Sequence, residues 1–598
     1  MDFSIQLDTL WVLVGAALIF FMQAGFAMVE TGFTRAKNAG NIVMKNLMDF
    51  ACGSLVFLII GYGLMYGVSE GGVLGRLDLF VAGDYAAGSL PKWAHVIFNT
   101  MFCATAATIV SGAMAERTQF KSYLIYSIVL SAIVYPIGAS WAWGGGWLST
   151  LTIGNATGFI DYAGSALVHM VGGIAALVGA KFLGPRVGKF DKNGKPRGIP
   201  GHNITLGALG VFILWFGWFG FNPASSYGLS TTAQALDVSN VFLTTNTSAA
   251  AAAVMAMILT WVRYGKPDVS MTLNGALAGL VAITAGCSVM DPWAACITGA
   301  AAGVLVVFGI EFVEKILKVD DPVGAVGVHG INGLFGALAC GLFARNNGLF
   351  TTGSWGQLGI QCIGVLAVGL WVGVTMTLLF WGLKKTIGLR VSMPEEISGL
   401  DAAEHGLQSA YADFVTSGSA GFFGQQEPVG NFAEERALFS ADLSGSHVLD
   451  GSAPEVHVSP EMAIPVQIDS AKRAGMDKAQ LTKIVIITRQ SRFEALKDAM
   501  NDIGVTGMTV TQVLGCGMQK GRMEYYRGAP VNTMQLLPKI QVDIVVAKVP
   551  PRRVIDAVKK VLYTGHIGDG KIFVYDVENA VKVRTGEEGY YAMQGVDE

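Results

Sequence analysis

Eleven stretches of mainly apolar residues occupy the first two-thirds of this 598-residue chain, near 8–32, 46–68, 93–115, 122–143, 163–183, 203–222, 243–262, 271–289, 293–312, 323–344 and 357–383. Each approaches the roughly 20 residues that cross a bilayer as a helix. Lipid offers no partner for backbone N–H and C=O groups, so such a chain is confined to a bundle of self-satisfied helices. The expected class is therefore an α-helical polytopic membrane protein. The first stretch has no charged region before it and no cleavage site, and is expected to be a span, not a removable leader. Basic residues sort to alternate loops, fifteen on one side against Arg76, Lys92 and Arg345 on the other. That bias predicts an amino terminus outside the cell and a carboxyl end in the cytoplasm.

Charged residues make up 14% of the chain, against about 25% in soluble domains, and their excess lies beyond residue 395. A formal net charge of −3 supplies no basic field for nucleic acid. The seven cysteines form no CxxC pair and read as small packing residues, not as a disulfide framework or zinc site. The expected divisions are a membrane domain over 1–395, a cytoplasmic coupling segment over 396–413, a linker over 414–480 and a regulatory domain over 481–598. The linker carries Ser, Gly, Pro and acids without periodicity. After it the order strand–helix–strand–strand–helix–strand predicts an α+β ferredoxin-like unit with a long loop between its second and third strands.

Ionisable residues inside spans are functional suspects. His169 follows Asp161 by eight residues, about 12 Å of helix, and His329 follows Asp321 in the tenth span. Both histidines stand in the pattern Val-His-x-x-x-Gly, ending at Gly173 and Gly333. The fifth and tenth spans would be equivalent members of two five-span halves, which an odd number per half forces into opposite orientation. Such an inverted 5+5 repeat sets its functional groups at the midplane. A lone histidine is as readily a hydrogen-bonded helix contact, but a matched pair favours function. No third ligand accompanies them, which disfavours a metal. Phe98, Phe102, Trp143, Phe221 and Ser225 cluster toward the outer ends of their spans, where aromatic rings either belt the interface or hold a small cation.

The motifs FFMQAGFAMVETGFTRAKN (20–38), GAMAERTQF (112–120), DYAGSALVH (161–169), GWFGFNPAS (217–225), DDPVGAVGVHG (320–330) and SGLDAAEHG (398–406) resemble the Amt/Rh ammonium transporter family across about 8–412. The resemblance implies a homotrimer with one pore per protomer in the cell membrane and no cofactor for transport. It implies that Trp143 and Ser225, with Phe102 and Asp161, form the external recruitment site for ammonium. Phe102 and Phe221 would stack as a gate, His169 and His329 would be the pore relay, Asp161 would order the entrance helix, and Thr284 would lie beside the pore. A neutral imidazole accepts a proton or hydrogen bond from ammonium where a desolvated potassium ion finds nothing comparable.

Residues 481–590 resemble PII signal-transduction proteins through GVTGMTVTQVLGCGMQKG (504–521), EYYRGA (524–529), LLPK (536–539), TGHIGDGKIFVYDV (564–577) and RTGEE (584–588). The resemblance implies ATP or ADP bound by Thr509, Gly517, Gln519, Gly565, Gly568, Asp569, Gly570, Lys571, Lys582 and Arg584. Gln519 and Lys539 would hold 2-oxoglutarate, and Gln519 would reach magnesium through the nucleotide. Backbone amides at Gly568 and Gly570 suit phosphates, and Lys582 with Arg584, two apart on an expected strand, would add charge. Arg527, near the tip of the long loop, is expected to plug the cytoplasmic mouth when the domain docks on its own channel. No tyrosine lies between Arg527 and Pro538, so the family's uridylylation target is absent. The tail shows no nucleophile–base pair, so a regulated transporter and not an enzyme is expected. The alternative is a membrane sensor of ammonium with vestigial transport.

Overall fold

The structure, a computed structural model, describes residues 3–67, 71–85, 90–407, 410–411, 481–505, 507–515, 524–526, 529–531, 537–565 and 569–593. Two compact units divide after Phe414. In the first, ten helices among the described residues are long and apolar enough to cross a membrane. They are α1 (Phe3–Phe33), α2 (Ala36–Tyr66), α3 (Lys92–Met114), α4 (Phe120–Ser140), α5 (Ser165–Leu183), α6 (Ile204–Ser226), α7 (Thr232–Tyr264), α9 (Pro292–Lys315), α10 (Val326–Phe343) and α11 (Gly356–Thr386). A shorter apolar helix, α8 (Val269–Ile283), completes the eleven segments expected. Hydropathy misplaced two of the starts. The second helix begins well before residue 46 and takes in Lys45, which is fully buried and so is not a loop charge. The seventh begins at Thr232, where Thr231 and Gln234 exchange hydrogen bonds as a capping box.

Glycine brings the helices together. A Cβ at Gly25 would press on the Gly210 carbonyl, and one at Gly210 on the Gly25 carbonyl, so α1 and α6 meet backbone to backbone. The helices bearing the histidines repeat this at closer quarters. Gly173, four residues after His169, abuts the backbone of Gly330, one residue after His329. Gly333, four after His329, abuts the backbone of Met170, one after His169. As one helix advances its partner position retreats, so α5 and α10 run antiparallel, and each supplies the same contact to the other. This reciprocity is what two halves of opposite orientation produce, and small residues are what permit the approach. Leu366, Leu370, Val374 and Leu378 form an exposed apolar stripe on α11, as a lipid-facing helix requires.

The loops rich in basic residues are tied by ion pairs. Arg186 bonds Glu116 at 2.9 Å and Asp320 at 2.8 Å, and Arg35 pairs with Glu116. Burial pushes the Asp320 carboxyl up, but Arg117 and Arg186 outweigh it and hold that acid well below its usual range. The chain after α11 packs on the same loops through two short helices, α12 (Met393–Ser398) and α13 (Leu400–His405). Lys37 donates to the carbonyls of Glu396 and Ile397 at 2.8 Å, and Asp401 accepts the N–H groups of Gly40 and Asn41 at 3.0 and 2.7 Å.

The second unit contains β1 (Leu481–Thr488), α14 (Phe493–Asp502), β2 (Thr509–Gly515), β3 (Leu537–Val546), α15 (Pro551–Leu562) and β4 (Lys571–Val577). The strands pair antiparallel in the order β2-β3-β1-β4, the ferredoxin-like arrangement expected. Ile484, Ile486, Val542 and Ile544 alternate onto one face and bury Leu496, Met500, Val554 and Val558 of the two helices.

Candidate functional site

A column of rings runs through the first unit. At one end lies a cavity of about 120 Å³ lined by Phe102, Trp143 and Ser225, together with Tyr66, His95, Asn99, Tyr162 and Tyr227. Trp143 is held there because its Nε1 donates to the Asp161 carbonyl at 2.8 Å. Ser225 sits on a short turn after Phe221, whose carbonyl accepts its hydroxyl at 2.9 Å. The five further lining residues were not read from the sequence. Tyr66 donates to Asn99 at 2.6 Å, and the ring of Tyr227 stacks on that of His95 at 5.0 Å. The signal for Tyr66, His95 and Asn99 is polar and aromatic groups on helices that otherwise read as apolar, whereas Tyr162 and Tyr227 lie in the loops beside α5 and α6.

The Asp161 side chain does not line the cavity. It caps the start of α5, accepting from the N–H groups of Gly164, Ala166 and Leu167 at 3.1, 3.0 and 2.8 Å. Gly164 is at φ +104°, which only glycine adopts without strain, and the first turn of α5 is widened so that His169 N–H reaches the Gly164 carbonyl. Asp321 repeats the device, bonding Gly324 (φ +82°) at 3.1 Å and Val326 at 2.7 Å before a second widened turn. Burial pushes the Asp161 carboxyl up to about 7 and that of Asp321 up to about 6, against the pull of the backbone N–H groups each accepts. Asp321 as the counterpart of Asp161 was legible in the shared spacing Asp-x-x-Gly followed five residues later by His.

Behind the cavity, Phe102 and Phe221 close the column with centroids 4.2 Å apart. The next ring is His169, 5.6 Å from Phe221 and stacked on Trp218 at 5.0 Å. Trp218 is fixed by donating to Thr284 Oγ1 at 2.9 Å, which gives that threonine its place beside the column. His169 and His329 face each other through their Nδ1 atoms at 3.2 Å, both side chains buried. Two neutral imidazoles sharing one Nδ1···Nδ1 hydrogen bond must adopt opposite tautomers. His169 Nε2 makes no hydrogen bond among the described residues. Phe26 follows His329 at 6.0 Å, and beyond it lies a second cavity of about 20 Å³.

In the second unit Asp569 organises the turn before β4. It accepts from Thr564 N–H at 2.7 Å and Gly565 N–H at 3.2 Å, and from the Thr564 hydroxyl. Gly570 is at φ +115° against Ile487, and Lys571 begins β4 opposite that residue. Thr509 opens β2, and Lys539 on β3 lies against Gly515. Lys582 and Arg584 are not on a strand face. They belong to a turn in which Thr585 N–H bonds the Lys582 carbonyl, and Lys582 pairs with Glu587 at 3.2 Å. Of the strand expected there, only an isolated bridge, Val581 to Glu588, forms. Gly517, Gln519, Arg527 and Gly568 lie outside the described residues.

The Ammonium Transporter Family model matches residues 10–411, and that of nitrogen regulatory protein P-II matches residues 481–587. Ammonium transporter Amt2 of Archaeoglobus fulgidus is 48% identical over 428 residues, covering 69% of this chain and 90% of that protein. A putative ammonium transporter of Synechocystis sp. is 42% identical, covering 68% and 89%. Among solved structures, a "Sensor Amt Protein" is 40% identical with a TM-score of 0.62, covering 68% of this chain and 99% of that one. Candida albicans Mep2 is 26% identical with a TM-score of 0.59, covering 65% and 87%. The chain therefore belongs to the ammonium transporter family, as a multi-pass membrane protein with a PII domain at its carboxyl end.

Proposed function

We propose that the membrane unit imports ammonium by separating it into ammonia and a proton. Ammonium is recruited from outside against Trp143 and Ser225, beside Phe102, and passes the Phe102–Phe221 gate as ammonia. The proton enters at His169 Nε2, shifts from His169 Nδ1 to His329 Nδ1, and leaves from His329 on the cytoplasmic side. The observation that carries this reading is the buried Nδ1···Nδ1 contact of 3.2 Å directly behind a closed pair of phenylalanines. Proteoliposomes carrying the whole chain, on a solid-supported membrane, test it: ammonium gives a current and potassium none. Trp143→Leu removes the ring and the Asp161 carbonyl's donor, and is expected to weaken the outside half-saturation about 10-fold, the scale of one lost cation–π contact, with inner-face affinity unchanged. A change confined to the inner face contradicts the assignment.

The second unit is proposed to regulate this pore in cis, in a homotrimer with its amino termini outside and its PII domains in the cytoplasm. ATP or ADP would bind through the Thr564–Lys571 turn with Thr509, Gly517, Gln519, Lys582 and Arg584. Magnesium and 2-oxoglutarate would join at Gln519 and Lys539. The geometry in favour is the Asp569-braced turn, with Gly565 and Gly570 at positive φ ahead of Lys571. The divisions proposed are 1–395, 396–413 as coupling segment, 414–480 as linker and 481–598. The packing of α12 and α13 on the loops of one face supports a path from the tail to the pore. Arg527, always charged, is proposed to plug the inner mouth until MgATP and 2-oxoglutarate withdraw it. Arg527→Ala is then expected to give ligand-insensitive, open transport; the same ligand response in parent and variant removes Arg527 from the role. A sensor with vestigial transport is the second reading, favoured by the 40% identity to a "Sensor Amt Protein", and a full-rate current in the assay above excludes it.

A further inference from the structure

We propose that Glu30 is the inner proton donor of the pore, returning ammonia to ammonium before release. This rests on the relay reading above and extends it past His329. The second cavity, on the far side of the histidine pair from Trp143, is lined by His329, Phe26, Val29 and Glu30. Its roughly 20 Å³ suits one water-sized molecule, and so one ammonia. Glu30 is the one carboxyl group among the residues bounding it, and it is 2% exposed. Its Oε2 accepts Ser111 Oγ at 2.8 Å and Asn46 Nδ2 at 3.2 Å, while Oε1 makes no hydrogen bond among the described residues. No cation is paired with it at salt-bridge distance among those residues either. The charged and titratable groups nearest it are Lys45 and Asp49 on α2, Tyr123 and Tyr126 on α4, of which Tyr123 donates to Asp49, and His329 on α10. Lys45 Nζ is buried without a hydrogen-bond partner, 5.0 Å above the Tyr123 ring. A polar trail thus leaves the cavity through Glu30 and ends in further exchangeable groups.

The step balances. The ammonia lone pair takes the Glu30 carboxyl proton, an N–H bond forms, and the O–H electron pair stays on the carboxylate. The proton delivered through His329 then restores the acid, so one ammonium and no net charge change at Glu30 result per cycle. Ammonium leaves toward the face carrying Arg35 and Arg186.

The test compares Glu30→Gln and Glu30→Asp in full-length protein in proteoliposomes, with the pH varied on that inner face. Proton transfer by a placed side chain contributes about 100-fold or more. The Gln variant is therefore expected to lose about 100-fold in ammonium current together with the inner-side pH dependence, while Asp retains the pH dependence and more of the current. A parental current and profile in the Gln variant overturns the proposal. So do equal losses in both variants with the pH profile intact, which is the signature of packing alone. Should the Gln variant not fold, Ser111→Ala reads the same carboxyl by displacing the inner-side profile, and an unmoved profile overturns the proposal. The His169→Ala, His329→Ala double variant is run beside them: if it conducts like the parent the relay fails, whereas its silence beside a parental Glu30→Gln current removes Glu30 alone.

Discussion

The double variant His169→Ala, His329→Ala is expected to lose ammonium current by at least about 100-fold, the scale of a lost proton relay, and to gain conduction of potassium. Both effects follow from the same removal. A path lined by Phe102, Phe221, Trp218 and Phe26 charges any bare cation a large desolvation cost, so under the proposed relay ammonia crosses alone and its proton needs the imidazoles. Deleting both rings breaks the only Nδ1···Nδ1 bridge in that column among the described residues. It also opens the volume of two side chains beside polar backbone, which water enters, and a wet path no longer discriminates between cations of similar radius. Currents recorded with ammonium and then with potassium decide the matter. Parental ammonium current with parental selectivity would falsify the relay.

The second large effect is expected at Asp161. Its carboxylate satisfies three backbone N–H groups at the buried start of α5, and alanine leaves all three without a partner. Each unpaired buried donor costs about 1–3 kcal/mol, so the widened turn that aims His169 should not survive in its present form. Asp161→Ala is expected to abolish transport and lower the melting temperature. Asp161→Asn, which keeps one acceptor oxygen but turns an amide donor toward another N–H, is expected to fall between the two. Binding at the outer cavity should persist, because Trp143 is held by the Asp161 backbone carbonyl and not by its side chain. Loss of outside binding with normal stability would instead make Asp161 a direct cation ligand.

Much of this was legible in the sequence, for reasons that particular residues make plain. Apolar runs bounded by charge are a strong signal over 20 residues, and all eleven helices were found. The late start read for α2 has a plain cause: Asn41 and Lys45 are buried inside it, so a helix that hides polar groups among its neighbours reads as a loop. The Val-His-x-x-x-Gly pattern singled out two histidines that the fold brings together, but its glycine has meaning only once the opposite backbone is in view. Tyr66, His95 and Asn99 escaped because they come from two different helices and converge only in three dimensions. The strand expected at Lys582 and Arg584 does not form, because the Lys582–Glu587 pair and the Thr585 turn win locally.

The mutual seating of Gly173 on Gly330 and of Gly333 on Met170 also bears on how such a molecule can move. Carriers that expose a central site to each side in turn do so by rocking one half against the other around it. Here the two halves touch main chain to main chain immediately beside the histidines. A rocking stroke would have to pull apart close-packed peptide planes, with no pliable side chains between them to take up the strain. The histidine-bearing helices therefore serve as a fixed frame, and the parts left to move are rings, protons and the solute itself.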